Sequence, residues 1–270
     1  MDHGFSIPQD ADAPDLKGLV ERFRTPEVRA MALIGSFARG DAGQFSDVDI
    51  LRFFAEEAGN RPGAGSHAVD GRLVVVSDIA EAKIDGWFTQ PQVATQIVVG
   101  LRDAWPLWDP DGYFAKIQRR SRDFVWDDAM QKKADAYASR EMAGWAEEAH
   151  KGLEGLRTGD TGRMINALLG LSWGLTSVMR VKLGVLLQSD NSFLSEVIAA
   201  VGEDSEWAKL CRSAFGIDGN SHLEERVKSG LRLYALTAQM IEKAIRLEDR
   251  DVINHTVKLI QAGLDKRIGI

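Results

Sequence analysis

The residues best equipped to do chemistry stand early in the chain, in Gly35–Asp49, which reads GSFARGDAGQFSDVD. Asp47 and Asp49 are separated by one valine. On a strand, residues i and i+2 project from the same face, so both carboxylates would point one way and Val48 and Ile50 into the core. Two carboxylates that close repel unless a cation lies between them or one is protonated. Mg²⁺ suits such a pair, because it favours carboxylates completed by substrate phosphate oxygens. Read alone, the pair is either a metal site or the exposed start of a strand, and the preceding loop favours the metal. Gly35-Ser36 is expected to close a first strand and open a short helix. Backbone N–H groups at a helix start attract anions, and a missing Cβ lets a phosphate approach. Ser36 adds a hydroxyl and Arg39 a fork of donors matched to phosphate oxygens. Ser46 stands directly before the acids.

The elements that must position these groups are partly legible. Leu16–Phe23 has helical spacing after Pro14-Asp15. Arg29–Ile34 and Val48–Phe54 read as strands. Ala58–Ser66 is rich in glycine and proline and reads as a turn region. Asp70-Gly71 introduces the β-branched run Arg72–Val76, the clearest strand, and 79–88 reads as a helix. Beyond these, helices are predicted at about 111–124, 127–156, 160–187, 190–201, 203–214 and 218–248, with room for a C-terminal one. The predicted class is α+β: a small mixed β-sheet domain over 1–110, then an all-helical bundle over 111–270. The apolar run Ile165–Leu187 carries Asn166, Arg180 and Lys182, so it reads as the bundle's central helix rather than a membrane span.

Composition narrows the classes further. The chain has 270 residues and a net charge of −7, which argues against a broad nucleic-acid surface. Cys211 is the single cysteine, leaving no intramolecular disulfide and no cysteine-based zinc site. The N-terminal MDHGFSIPQDADAPD has neither the basic nor the apolar region of a secretory signal, and a cytoplasmic location is the expectation.

The order Gly-Ser, a short interval, then Asp-hydrophobic-Asp resembles the signature of the polymerase-β-type nucleotidyltransferases. GSFARGDAGQFSDVDI is most similar to the segment found in the aminoglycoside (kanamycin) nucleotidyltransferases, and Pro106–Ile117, PLWDPDGYFAKI, resembles their connection into a helical domain. The resemblance implies transfer of a nucleoside monophosphate, AMP, from an NTP with Mg²⁺ to a hydroxyl of a small molecule of aminoglycoside-like kind. In it, Gly35, Ser36, Arg39 and Ser46 bind the nucleotide and Asp47 and Asp49 hold the metal. It also implies a homodimer. A third acid common in the family falls mid-strand, where this chain reads Leu73-Val74-Val75-Val76. Asp70 reads instead as the turn residue of an Asp-Gly hairpin, and Asp78 as a turn or helix-cap residue. The family's general base is a glutamate on an early helix of the second domain. Glu141 fits that place, while another alignment puts Gly144 there. Glu147 and Glu148 read as solvated charges, and Asp127, Asp128, Asp135 and Glu141 would suit a polycationic acceptor. The alternative class is an inactive nucleotidyltransferase-like module that binds nucleotide or a protein partner.

Overall fold

The computed structural model describes residues 14–56, 62–219 and 222–265. Most of the N-terminal stretch read for a secretory signal, residues 58–61 of the turn region and two residues of the helix expected at 218–248 lie outside the described residues. Contacts divide the chain into two compact units. One comprises the described residues up to Phe88 together with Val98–Phe124, and the other Thr89–Ile97 with Val125 onward.

The first unit is a mixed five-stranded sheet in the order β3-β4-β2-β1-β5. Helix α1 (Leu16–Phe23) is capped by Asp15, whose carboxylate accepts from the Gly18 N–H at 3.0 Å. It leads into β1 (Ala30–Ile34), which ends at the single-turn helix α2 (Gly35–Arg39). The chain returns along β2 (Val48–Phe54), antiparallel to β1. The interval between Ser36 and Asp47 therefore holds the short helix α2 and a loop that returns the chain to the neighbouring strand. β3 (Gly65–Val69) and β4 (Arg72–Ala80) form a hairpin whose two-residue loop is Asp70-Gly71. Both loop residues have positive φ, 49° and 76°, which a type I′ turn asks for and Gly tolerates without strain. Helices α3 (Glu81–Thr89) and α4 (Pro91–Asp103) follow, then β5 (Trp105–Trp108) and α5 (Tyr113–Arg122). β3, β5 and α4 were not foreseen. The glycine-rich turn region becomes β3 from Gly65 onward, and β4 runs four residues beyond the expected Val76.

Side chains of β2 sort cleanly between the two faces of the sheet. Val48, Ile50 and Phe54 join Leu19, Phe23, Leu33, Val74 and Val76 in one apolar cluster. On the opposite face Phe53 meets the rings of Trp87, Tyr113 and Phe114 at 5.4–6.2 Å between centroids. Arg52, wholly buried on the α1 side, has a full set of partners. Its Nε and Nη2 donate to Asp78 at 2.7 and 3.0 Å, and its Nη1 donates to the carbonyls of Phe23 and Pro62. Asp78 is thus a strand residue holding a buried cation, correcting its reading as a turn or cap.

The second unit is helical: α6 (Asp128–Gly144), α7 (Ala146–Thr158), α8 (Thr161–Lys182), α9 (Phe193–Val201), α10 (Glu206–Phe215), α11 (Leu223–Met240) and α12 (Leu247–Asp265). The helix expected over 127–156 is two helices meeting at Trp145, whose ring lies against Gly174 of α8. A Cβ there would meet the indole at 2.2 Å. The one expected over 218–248 likewise ends at Met240, and α12 starts at Leu247. α8 packs against α6, α7, α10 and α11, as the central helix of a bundle should. It is the one described helix long and apolar enough to cross a membrane, and 67% of its apolar window is buried in the protein. Cys211 is buried in this core with its sulfur 3.4 Å from the Thr176 hydroxyl.

Candidate functional site

Pairing within the sheet brings the expected residues together. The last residue of β1, Ile34, pairs with Asp49, so the strand end that releases Gly35 lies beside the acid. Gly35 has φ +76°, and a Cβ on it would sit 2.5 Å from Asp49 Oδ2. Only glycine fits here, because both the left-handed backbone and the closeness of the carboxylate forbid a side chain. Asp47 immediately precedes β2, and both acids are half-buried on either side of Val48, which is fully enclosed with Ile50. The alternation is the one the spacing predicts.

The loop between α2 and β2 is ordered by its own hydrogen bonds. The Ser46 hydroxyl accepts from the Gly43 N–H at 2.9 Å, and the Ser46 N–H donates to the Gly43 carbonyl at 3.0 Å. Ser46 is thereby a turn-forming residue that sets the entry to Asp47. Gly40 and Asp41 donate their N–H groups to the Ser36 carbonyl, closing α2. The Arg39 guanidinium is largely buried and faces Asp41, with two contacts of 3.2 Å. A phosphate gripped by Arg39 would share it with Asp41 or displace that carboxylate.

The parallel pairing of β2 with β4 settles which side chain stands beside the acids. Asp49 is in register with Val75, so these two project from the same face. Val75 occupies the place where a third carboxylate on that face would stand. Among the described residues no group of three His, Cys, Asp or Glu side chains gathers as a metal cage. The donor set is a pair of half-buried carboxylates beside open backbone, which fits a hard cation completed by substrate oxygens better than a cation held by protein alone.

Glu141 belongs to the other unit, on α6, with its carboxylate half-buried and 3.6 Å from Arg140. It also lies near enough to Tyr137, one turn earlier, to raise the phenol's pKa, although burial is the larger cause. The neighbouring acids are mostly committed elsewhere. Asp127 caps α6 by accepting from the Met130 N–H, and Asp135 is bound by Lys182 and by Gln131. Glu148 is not solvated as expected: Lys151 holds its Oε1, while its Oε2 is enclosed with no partner among the described residues. A groove of about 620 Å³ between α10, α11 and α12, lined by Leu210, Leu236, Val257 and Ile260, contains none of the expected site residues.

With this geometry in place the comparisons are informative. Residues 16–95 match the nucleotidyltransferase domain family. That segment runs from α1 through β4 into α4 and includes Gly35, Ser36, Arg39, Ser46, Asp47 and Asp49. The match supports nucleotidyl transfer as the general reaction class, with a nucleoside triphosphate as donor, and domains of this family generally use a divalent metal. Among solved structures, the nucleotidyltransferase-like protein from Exiguobacterium sibiricum 255-15 is similar at a TM-score of 0.48 and 13% identity, over 84% of this chain and 74% of that one. At that level the likeness bears on neither activity nor substrate. No curated protein sequence matches the chain.

What the sequence reading missed lies in the helical unit. Arg180 is buried there without a carboxylate at ion-pair distance among the described residues. The signal was visible: a guanidinium inside the apolar run of α8, weighed only as an argument against a membrane span.

Proposed function

We propose that the chain transfers a nucleoside monophosphate, AMP, from an NTP bound with Mg²⁺ to a hydroxyl of a small molecule. The observation that carries this reading is Asp49 lying against Gly35 at the end of β1, with Asp47 one position outside the strand. Asp47 and Asp49 would hold the metal, which when bound neutralises phosphate charge and polarises the α-phosphate. The backbone after Gly35, the Ser36 hydroxyl and Arg39 would bind the β- and γ-phosphates, and the Ser46 turn fixes the approach to the acids. The acceptor oxygen forms a bond to the α-phosphorus as the bond to the β-phosphate oxygen breaks. Pyrophosphate leaves, and the hydroxyl proton passes to a base, for which Glu141 is the candidate. The commitment of Asp127 and Asp135 to structural bonds removes much of the reason to expect a polycationic, aminoglycoside-like acceptor.

The test is pyrophosphate release in the presence of each NTP, Mg²⁺ and a panel of hydroxylated acceptors. Asp49→Ala is expected to lower the rate by about 10²–10³-fold, the scale on which removing transition-state charge stabilisation acts. Nucleotide binding without release from any acceptor would instead identify a binding module.

A further inference from the structure

Two helical stripes face the same region of the helical unit. Tyr137 and Glu141 stand one turn apart on α6, and Trp173, Ser177 and Arg180 follow at i, i+4 and i+7 on α8. Arg180 is 5% exposed. Its Nη2 donates to the Ser177 hydroxyl at 3.2 Å, and its guanidinium lies 5.6 Å from the Phe193 ring centre. Its Nε–H is enclosed and has no acceptor among the described residues. Burial lowers its pKa, opposed by Tyr137 and by the exposed Asp190, neither of which forms an ion pair with it. The Tyr137 phenol lies near enough to the Ser177 hydroxyl for that group to oppose the upward shift of its pKa. Phe193 in turn stacks on Trp173 at 5.1 Å and 11°, and Trp173 is 56% exposed.

A buried arginine is ordinarily paired, since an uncompensated enclosed cation and an unmet N–H both cost free energy. Here no carboxylate forms an ion pair with it among the described residues, Asp190 acting only at longer range, whereas Asp135, Glu141 and Glu148 each have a cation of their own. We infer that the Arg180 cluster is a binding site for a small hydroxylated molecule bearing an oxyanion, a carboxylate or a phosphate. The guanidinium takes the oxyanion through its planar fork, Tyr137 and Ser177 offer hydroxyls, and the exposed indole of Trp173 gives a ring surface for an apolar or sugar face. Calling this molecule the acceptor rests on the transfer reading above, because Glu141 borders the cluster. The binding itself does not depend on that reading.

Calorimetric titration of the full chain without nucleotide tests the site, using gluconate and glucose 6-phosphate as oxyanion probes, glucose as the neutral control and kanamycin as the cationic one. Both anions are expected to bind at least about tenfold more tightly than glucose, and kanamycin more weakly than either. Arg180→Gln should weaken the anions about tenfold or more and leave glucose within about twofold, with Arg180→Lys recovering part of the loss. Trp173→Ala, in a variant shown to be folded by its denaturation midpoint, should weaken both anions and glucose together. Failure of both anions to bind, unchanged affinity in a folded Arg180→Gln, or kanamycin binding more tightly than the anions overturns the proposal. Arg180-dependent anion binding that never elicits pyrophosphate release keeps this site and sinks the transfer reading. Asp49→Ala should retain anion binding in either case.

Discussion

At the scale of single residues, the site is held by one atom that is absent. Gly35 has neither the φ nor the space for a Cβ, since Asp49 Oδ2 lies 2.5 Å from where that carbon would be. Gly35→Ala should cost about 1–2 kcal/mol from the left-handed backbone alone. It should also push the Asp49 carboxylate away, so pyrophosphate release would fall by more than the lost stability explains. Chemical denaturation and the transfer assay on the same variant separate these effects. A variant as stable and as active as the parent would show that Asp49 tolerates displacement. Gly35, Ser36, Asp47 and Asp49 were legible because their spacing alone sets which residues share a strand face and which turn precedes it. Arg180 was not, because sequence reveals a charge in an apolar run but not whether a partner reaches it through the fold. The same limit hid the role of Asp78, which depends on Arg52, and the enclosure of Glu148.

At the scale of elements, β2 is the organising strand. It carries Asp49 at one end and Arg52 in the middle, and the Arg52–Asp78 pair joins it to β4 while tying in the carbonyl at the end of α1. Asp78→Ala would leave an enclosed guanidinium without its counter-charge and should cost about 3–5 kcal/mol, read as a lower denaturation midpoint. A loss below about 1 kcal/mol would mean that water or the two carbonyls satisfy Arg52 unaided. This pair also explains why β4 outruns its apolar core: Ser77-Asp78 looks like a turn in sequence, yet Asp78 is fixed across the ladder. α1, β1 and β2 came through because their apolar spacing is strong. β3 and β5 did not, since GSHAV is poor in strand formers and WPLW contains a proline, and both are edge strands defined by their neighbours. Trp145 carries no breaker signal of its own. The break between α6 and α7 falls at Gly144-Trp145, and the packing of the Trp145 ring on Gly174 is a contact with a residue far along the chain.

At the scale of the whole molecule, one thiol reports on the helical core. Cys211 is enclosed, and burial pushes its pKa up to about 11 from an ordinary 9.0. The folded state therefore keeps its proton where the unfolded chain has lost it. The associated stability is fully present below pH 9 and is lost at about 1.4 kcal/mol per unit as pH rises toward 11. Tyr234, also raised by burial, acts in the same direction. Denaturation midpoints of the parent and of Cys211→Ala, measured from pH 8 to 11, should converge as pH rises. Parallel curves would show that the thiol titrates alike in the folded and unfolded states. Under native conditions a thiol reagent should modify Cys211 only as fast as the helical unit opens.

The register that sets Val75 beside Asp49 also has a genetic reading. Every valine codon becomes an aspartate or glutamate codon through one change at its second base. Because Val75 already faces the same way as Asp49, the chain stands one point mutation from three carboxylates side by side, with no strand needing to slide and no loop to lengthen. A lineage carrying this sheet could gain or shed that acid repeatedly while its fold stayed as it is.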